Sequence, residues 1–357
     1  MNKRFQLREK IKVGIMGCTG LVGQQFVRIL SHHPYFEISC LTASQKSEKK
    51  KYGDIVNWGF EDEIPSSLKD SVIERTCVET FLRNKVKIVF SALPSPIAKN
   101  IEIELRNNGI YVFSNSSAHR MNEEVPIIIP EINPEHFELA KKQKSKYGGF
   151  IVTNSNCTTS GFVLSLKPVI EFTIKSVTVS TYQSISGAGR KGIAGMDILG
   201  NIIPYIKGEE EKIERETKKI LGEIKNGKIV ERDMEIIANC CRVPVNFGHL
   251  ESITIEFERE VDLRSFIQSL KNFKSEPQKL KLPSAPENPI IVKNENDRPQ
   301  PLFDFKNCNG MAITVGRIRK KNNKISFFLL VNNLIRGAAG TSVLNAEYAL
   351  KKKIIEV

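Results

Sequence analysis

A cysteine set among asparagines, threonines and a glycine is the first residue of this chain that could do chemistry. Cys157 lies in the stretch IVTNSNCTTSG, residues 151–161, where an apolar run ends and a helical pattern begins near Thr158. Backbone amides at the N-terminus of a helix lower the pKa of a thiol and can also hold an oxyanion. Although most single cysteines are small buried residues, this position predicts a nucleophile.

A thiol nucleophile needs a proton acceptor and, for a charged substrate, an anion site. His249 stands directly before the alternating apolar pattern LESITIEF, and the other four histidines all lie before residue 140. Arg242 lies seven residues earlier, and its guanidinium can hold a carboxylate in bidentate geometry. A lone histidine is more often structural or exposed, and Arg242 nearby favours an anion site beside His249.

Three glycines in GCTGLVG, residues 17–23, separate a strand pattern from a helical pattern. A turn of this kind lets the backbone approach a pyrophosphate, which the amides and dipole of the helix N-terminus attract. The flanking elements favour a dinucleotide site over a glycine-rich turn without a ligand.

The stretch LTASQKSEKKK, residues 41–51, ends the second predicted strand and should lie near the adenosine ribose. An acid there would bind the ribose 2′-hydroxyl of NAD. Here Thr42, Ser44 and Lys46 precede the first acid, Glu48. Hydroxyls and lysines suit a 2′-phosphate, so we predict NADP; the alternative is that these lysines are only solvated.

Two units are predicted to position these residues. Strand and helix patterns alternate over residues 1–155, which predicts a doubly wound, Rossmann-type dinucleotide-binding domain. Long β-rich runs with few helices fill residues 156–336, which predicts an α+β catalytic and dimerisation domain with a mixed sheet. The closing segment, residues 337–357, is helical at first and is placed back against the first domain.

Composition sets the class of protein. A length of 357 residues predicts two domains, and 40% hydrophobic with 26% charged residues is typical of a globular protein. The apolar runs are too short for a membrane span. No apolar block precedes the first strand, so we expect no secretory signal and a cytoplasmic location.

The net charge of +13 raises the question of nucleic acid. The excess lies in scattered lysine runs without a nucleic-acid-binding motif, so an anionic substrate or cofactor is the favoured partner.

The cysteines and histidines predict neither disulfides nor a metal site. There are seven cysteines without paired spacing, and no Cys/His cluster has zinc spacing. Cys241 is left undecided. The cysteines best explained as small packed residues, because no polar shell surrounds them, are Cys18, Cys40, Cys77, Cys240 and Cys308.

Eight blocks in a fixed order resemble the aspartate-β-semialdehyde dehydrogenases, in their archaeal and fungal branch. Together they cover nearly the whole chain: GCTGLVG, SNSSAHRM, VPIIIPEINPEH, NSNCTTSG, QSISGAGRKG, PYIKGEEEKIE, RVPVNFGH and NNLIRGAAG. The resemblance implies a reversible, NADPH-dependent reductive dephosphorylation of L-4-aspartyl phosphate through a cysteine thioester. The product would be L-aspartate 4-semialdehyde, on the route to lysine, threonine, methionine and isoleucine.

The resemblance also implies a role for each matched residue. Cys157 matches the nucleophile, His249 the acid–base group, Gln183 the residue that orients the substrate, and Asn156 an oxyanion donor. The implied substrate-binding residues are Arg120 and Lys212 for phosphate, Glu209 and Arg242 for the amino and carboxylate groups, and Asn115. The implied cofactor-binding residues are Gly17, Thr19, Gly20, Leu21, Val22, Gly23, Thr42, Ser44, Lys46, Ser91, Ser186, Gly187 and Asn333. The family is at least dimeric, so a homodimer or homotetramer is expected.

Four alternatives stay open. The acids that open the EEEK helix also complement its dipole, an explanation that weighs more for Glu210 and Glu211 than for Glu209. An N-acetyl-γ-glutamyl-phosphate reductase shares the domain plan, but the QSISGAG and GEEEKIE blocks disfavour it. A malonyl-CoA reductase would share Cys157 and the cofactor, but Asn156 and the NSSA segment favour the semialdehyde enzyme. A non-catalytic nucleotide-binding regulator would not need the cysteine, histidine, arginine and acid together.

Overall fold

A computed structural model describes residues 9–356, and two six-stranded sheets organise it. The expectation about an export signal concerns a segment that begins outside this range. The first sheet is wholly parallel, in the order β3-β2-β1-β4-β5-β6. Its strands are β1 Ile11–Met16, β2 Phe36–Ala43, β3 Glu74–Arg75, β4 Ile88–Ser91, β5 Tyr111–Ser114 and β6 Phe150–Thr153.

The second sheet is mixed, in the order β10-β7-β11-β14-β13-β12. Strand β11 runs antiparallel to both neighbours, whereas β10 is parallel to β7 and β12 to β13. Its strands are β7 Ile174–Gln183, β10 Glu235–Arg242, β11 His249–Phe257, β12 Ile290–Val292, β13 Ile313–Lys321 and β14 Lys324–Val331. A separate hairpin joins β8 Glu223–Lys225 to β9 Lys228–Val230.

Thirteen α-helices in the described range surround these sheets. They are α1 Leu21–Leu30, α2 Tyr52–Ile55, α3 Ser66–Lys69, α4 Val78–Arg83, α5 Ser95–Asn107, α6 Phe137–Tyr147, α7 Cys157–Leu166, α8 Gly195–Ile198, α9 Glu209–Ile220, α10 Leu263–Asn272, α11 Glu276–Lys279, α12 Pro301–Asp304 and α13 Gly340–Lys351. A single π-helical turn, Ile335–Ala339, leads into α13.

The first sheet is covered on both faces, as a doubly wound sheet requires. One core contains side chains of α1 and α13 against β1 and β5, and a second core contains α4 and α5 against the other face. In α13, Val343, Leu344, Ala346 and Ala349 all join the first of these cores. The end of the chain therefore lies against the first sheet, where its apolar spacing placed it.

Helix α7 carries the chain from the first sheet to the second. Every residue from Thr158 to Leu166 is buried, and Phe162, Val163, Leu164 and Leu166 belong to the core of the second sheet. The helix is therefore covered on all sides, including the hydroxyl residues of its first turn. The N-terminus of α7 consequently opens between the two sheets.

The predicted fold class, a doubly wound unit followed by an α+β unit with a mixed sheet, is confirmed. Within residues 9–356, no helix has the length and apolar character needed to cross a membrane.

Candidate active site

Cys157 is the first residue of α7. Strand β6 ends at Thr153, and Asn156 caps the helix: its side-chain oxygen accepts hydrogen bonds from the amides of Thr158 (3.0 Å) and Thr159 (3.3 Å). An asparagine in this position satisfies amides that have no partner inside the helix. The helix thus begins one residue before the predicted start, with the thiol at its N-terminal end.

The tertiary fold brings His249 to this thiol. The Sγ atom of Cys157 lies 3.3 Å from Nε2 of His249, although 92 positions separate the two residues in the chain. His249 is fully buried and opens β11, which lies between β7 and β14 in the second sheet. The predicted pairing of these two residues therefore exists as a contact.

Two glycines leave room for this pair. A Cβ atom on Gly187 would lie 2.6 Å from a guanidinium nitrogen of Arg242 and 3.1 Å from the His249 ring. A Cβ atom on Gly337 would lie 2.8 Å from Cβ of Cys157. Gly187 was predicted from its block, whereas the role of Gly337 is visible only in three dimensions.

Glu209 joins three predicted site residues. One of its carboxylate oxygens accepts from the Asn156 side-chain amide (2.8 Å) and from Gln183 (3.3 Å), and the other accepts from Lys212 (2.7 Å). Arg242 belongs to the same polar cluster and donates to the carbonyl of Ser184 at 2.8 Å. Asn156 thus supports the helix end and Glu209 here, and its oxyanion role stays a prediction.

Arg120 is held from two sides. Its guanidinium donates to Glu216 (2.9 Å) and to the carbonyl of Asn115 (2.9 Å), while its Nε has no partner among the described residues. The second oxygen of Glu216 accepts from the backbone amide of Asn156 at 2.5 Å. Glu216 therefore ties the predicted phosphate-binding arginine to the residue preceding Cys157.

Lys219 fixes the turn that carries Arg120. Its ammonium donates to the carbonyls of Arg120 (2.6 Å), Asn122 (2.8 Å) and Val125 (2.8 Å). Neither Glu216 nor Lys219 was predicted, yet both follow Glu209 at helical spacings of seven and ten residues. That periodicity is the signal that could have revealed them.

Because the resemblance assigns phosphate to Arg120, we expect Glu216→Gln to raise the KM for phosphate about tenfold, with a smaller change in kcat. A glutamine can still accept from Arg120, but its amide nitrogen cannot accept from the Asn156 amide. Glu211→Gln, an exposed position on the same helix, is the matched control. Equal KM values for phosphate in the two variants would contradict the role given to Glu216.

Burial controls the ionisation of Cys157 and His249. Although Cys157 keeps some solvent contact, the dense protein around it raises the pKa of its thiol to about 12, and the negative charge of Glu209 adds to this. Arg120, Arg242 and the Thr158 amide lower that pKa, but by less. Burial and Glu209 therefore outweigh the lowering of the thiol pKa by the helix N-terminus.

The neighbouring groups behave differently. Burial, followed by the charge of Arg242, lowers the pKa of His249 to about 3, so its imidazole is neutral. Burial also opposes ionisation of Glu209, but Lys212 and the hydrogen bonds from Asn156 and Gln183 outweigh it and hold its pKa below the usual value.

The glycine loop has the shape that the motif predicts. Gly17 has a φ of +77°, and a Cβ there would lie 2.7 Å from the Ala92 carbonyl oxygen. A Cβ on Gly23 would overlap the Gly17 carbonyl oxygen, whereas at Gly20 the nearest atom would be 3.7 Å away. The loop is therefore tightly packed inside and open beside Gly20, next to Thr19 and to Leu21 and Val22 of the first helical turn.

Thr42 does not lie where a 2′-phosphate contact requires it. It is fully buried in β2, and its hydroxyl contacts Thr76 (3.0 Å) and the Ile15 carbonyl (3.5 Å). Its carbonyl accepts from the amides of Gly17 (2.9 Å) and Cys18 (3.1 Å), so Thr42 supports the glycine loop instead. Ser44 and Lys46, beyond the end of β2, are exposed, and their contact with a 2′-phosphate stays a prediction.

The remaining predicted residues fall into two groups. Ser186 accepts from the Asn333 side chain (2.9 Å), and Asn333 accepts from the amide of Gly248 (3.0 Å), directly beside His249. Ser91 is buried at the end of β4, and its carbonyl accepts from the amide of Asn115.

In the described part of the chain, no group of three or more His, Cys, Asp or Glu side chains could hold a metal ion.

Comparison with known proteins gives one consistent family. The NAD-binding domain of the semialdehyde dehydrogenases matches residues 12–140, and their dimerisation domain matches residues 166–336. An aspartate-semialdehyde dehydrogenase of Archaeoglobus fulgidus is 46% identical over 97% of this chain and 100% of its own length. A malonyl-CoA reductase (NADP) of Metallosphaera sedula is 38% identical over 98% and 99%.

Among solved structures, the aspartate-semialdehyde dehydrogenase of Candida albicans with NADP has a TM-score of 0.90. It is 38% identical in sequence, and the match covers 97% of this chain and 100% of the Candida chain. Both family domains match this chain, and its fold places a thiol against an imidazole between the two sheets. The chain therefore belongs to the semialdehyde dehydrogenase family.

Proposed function

We propose that the protein is an aspartate-semialdehyde dehydrogenase. It would catalyse the reversible, NADPH-dependent reductive dephosphorylation of L-4-aspartyl phosphate to L-aspartate 4-semialdehyde. The observation that carries this proposal is the 3.3 Å contact between Cys157 and His249, with Glu209 and Arg242 in the same buried cluster.

The charges of the cluster suit an α-amino acid substrate. Glu209 is held ionised by its neighbours and can accept the substrate's ammonium group. Arg242 offers a guanidinium for the carboxylate. Arg120 and Lys212 are the cations for phosphate, and the Nε of Arg120, a buried N–H without a partner among the described residues, would be a further donor.

The cofactor fits the first domain. The amides of Leu21, Val22 and Gly23 precede the first intrahelical bond, which Gln24 makes to the Gly20 carbonyl, so they would hold the pyrophosphate. Ser44 and Lys46 would hold the 2′-phosphate, and Ser186 and Asn333 would lie at the nicotinamide. When bound, NADPH supplies the hydride that reduces the acyl group.

Cys157 performs the covalent chemistry. Its sulfur attacks the acyl carbon, phosphate departs, and a thioester remains on the enzyme. A thioester accepts hydride more readily than a carboxylate does, and the resulting thiohemiacetal collapses to release the aldehyde. The Thr158 and Thr159 amides already donate to the Asn156 side chain, so the Cys157 amide would be the backbone donor to the oxyanion formed on this carbon.

A malonyl-CoA reductase is the second candidate, since one relative carries that name. Its substrate has a carboxylate but no amino group, so it would leave Glu209 buried and ionised without a cation other than Lys212. That mismatch favours the amino-acid substrate.

One assay tests the function. Purified protein receives L-aspartate 4-semialdehyde, inorganic phosphate and NADP while NADPH absorbance is followed, and parallel reactions receive malonate semialdehyde with coenzyme A. Phosphate-dependent turnover of the first substrate is expected. Turnover of malonate semialdehyde alone, or of neither substrate, would refute the proposal.

We expect kcat/KM to be higher with NADP than with NAD. Lys46→Ala should reduce the NADP-to-NAD ratio about three- to tenfold, because a surface cation contributes modestly to binding a phosphate. Lys50→Ala, an exposed lysine in the same segment, is the control. A wild-type enzyme that prefers NAD would contradict this expectation.

We further propose that residues 1–155 with 337–357 form the dinucleotide-binding unit and that residues 156–336 form the catalytic and dimerisation unit. We also propose that the enzyme is a cytoplasmic homodimer or homotetramer. An exposed apolar surface supports self-association: Met196 is 95% exposed, Leu199 73% and Tyr205 62%. Exposed apolar patches of this kind mark interaction sites. Light scattering of the purified protein measures the oligomeric state directly.

A further inference from the structure

Arg190 makes a contact between the two units of the chain. Its Nε atom, in the loop that follows β7, donates to the Asn57 carbonyl oxygen at 3.1 Å, and a second guanidinium nitrogen donates to the Asn57 side-chain oxygen at 2.7 Å. Asn57 belongs to the loop after α2, 133 positions earlier in the chain. We call this contact the clasp, and it joins one cation to two neutral oxygens.

The clasp is tied to the glycine loop through Gln24. This glutamine of α1 is fully buried, and its amide nitrogen donates to the carbonyls of Thr19 (2.8 Å) and Asn57 (3.1 Å). The Asn57 carbonyl therefore accepts from both Gln24 and Arg190, and Thr19 is a residue of the glycine loop. The two hydrogen bonds of a buried side chain thus fix the clasp relative to the loop that would hold the pyrophosphate.

Distances around Gly59 place the guanidinium beside the first turn of α1. A Cβ atom on Gly59 would lie 3.6 Å from Nε of Arg190 and 2.6 Å from a methyl carbon of Leu21. The Leu21 amide precedes the first intrahelical hydrogen bond of α1, so it has no acceptor inside the helix. The charge of Arg190 adds to a helix N-terminus whose dipole already favours an anion.

We infer that Arg190 is a cofactor-binding residue, whose guanidinium crosses from the second unit to hold the pyrophosphate of NADPH against the glycine loop. The inference rests on the proposed function and deepens it. Ser186, four residues earlier, is proposed to lie at the nicotinamide, so a dinucleotide that reaches it from the glycine loop passes Arg190. An arginine presents five N–H groups, and the clasp uses two of them. The others can hold phosphate oxygens in bidentate geometry.

The backbone on both sides of Arg190 suits this reach. Gly189 has a φ of +81° and Gly192 a φ of +62°, a region that residues with a side chain rarely adopt. The Gly189 amide donates to the Ser186 carbonyl, and the Gly192 amide donates to the Gly189 carbonyl, both at 3.0 Å. Two tight turns therefore flank Arg190, whose side chain is exposed at the surface of the loop.

A structural tie between the units is the alternative to a cofactor contact. Lys306 makes such a tie to Glu61, in the same loop as Asn57, with 2.9 Å between two exposed side chains. The carboxylate of Glu61 neutralises the charge of that lysine. Both acceptors of Arg190 are uncharged oxygens, so the clasp does not neutralise its positive charge. This difference favours an anionic ligand for Arg190.

Binding measurements on the full chain test the inference without turnover. NADPH fluorescence gives the Kd of NADPH, and competition gives the Kd of adenosine 2′-monophosphate, which lacks the pyrophosphate. We expect Arg190→Met to raise the Kd of NADPH about tenfold and to leave that of adenosine 2′-monophosphate within about twofold. The difference from wild type should shrink as salt concentration rises, because salt screens an exposed cation. An unchanged Kd of NADPH, or equal losses for both ligands, would overturn the inference.

Two matched variants separate a pyrophosphate contact from a general effect. Lys191→Met removes an exposed positive charge one residue later, and Lys306→Met removes the other tie between the units. Both should keep the Kd of NADPH within about twofold of wild type, and a loss of about tenfold in either would refute a specific role for Arg190. A wild type that binds NADPH without turning over aspartate semialdehyde would refute the proposed function and leave the clasp standing. Absence of NADPH binding would refute both.

Discussion

Replacing Cys157 with serine is expected to lower kcat by about a thousandfold or more. A hydroxyl is a far weaker nucleophile than a thiol, and burial that already raises the thiol pKa to about 12 disfavours an alkoxide still more strongly. The measurement is the initial rate of NADPH formation with saturating aspartate semialdehyde, phosphate and NADP.

A matched control separates chemistry from folding. Cys308→Ser changes the same atom in an exposed loop position and should leave kcat within about twofold, as surface substitutions usually do. A pre-steady-state assay without phosphate adds a second readout, because the wild type should release one NADPH per active site as the thioester accumulates. Cys157→Ser turnover within tenfold of wild type would exclude Cys157 as the nucleophile.

The free energy of unfolding of Arg336→Met is expected to be about 3–5 kcal/mol lower than that of the wild type. Arg336 and Glu131 are both fully buried, with 2.7 Å between guanidinium and carboxylate, and the Nε of Arg336 also donates to the Met311 carbonyl at 2.6 Å. Removing the arginine leaves a carboxylate in the interior without its cation. Urea unfolding followed by circular dichroism measures the difference.

The double variant Arg336→Met with Glu131→Gln is the control for this pair. With no charge left unpaired, it should recover most of the lost stability, since a buried ion pair contributes little compared with neutral side chains. Additive losses in the double variant would contradict the interpretation. The ion pair also bears on the site, because the Arg336 carbonyl accepts from Ser160 in α7 and Gly337 lies against Cys157.

Local chemistry explains why much of the site could be predicted. The glycine spacing of residues 17–23 and the polar residues around Cys157 are short-range patterns, and each depends only on a strand followed by a helix. Both occur in the structure as expected. The Thr42 side chain is buried rather than placed at a phosphate, because side chains alternate between the faces of a strand. The sequence pattern does not say which hydroxyl lies beyond the strand end.

Contacts between distant segments explain the rest. Glu216 and Lys219 act on Arg120 across 96 and 99 positions of sequence, and no local pattern states which face of α9 meets that turn. The direction of the Cys157 pKa also depended on packing: a helix N-terminus predicts a lower value, but only the assembled cleft shows that burial and Glu209 outweigh it.

By itself the sequence determined the order of strands and helices, the dinucleotide loop and the candidate nucleophile, because these follow from periodicity and from residue types within a few positions of one another. Only the tertiary structure decided which nitrogen of His249 faces the sulfur, which acids hold the cations, and how far the thiol is from ionising. Those properties are set by distances, desolvation and the direction of hydrogen bonds between segments that the chain order leaves far apart.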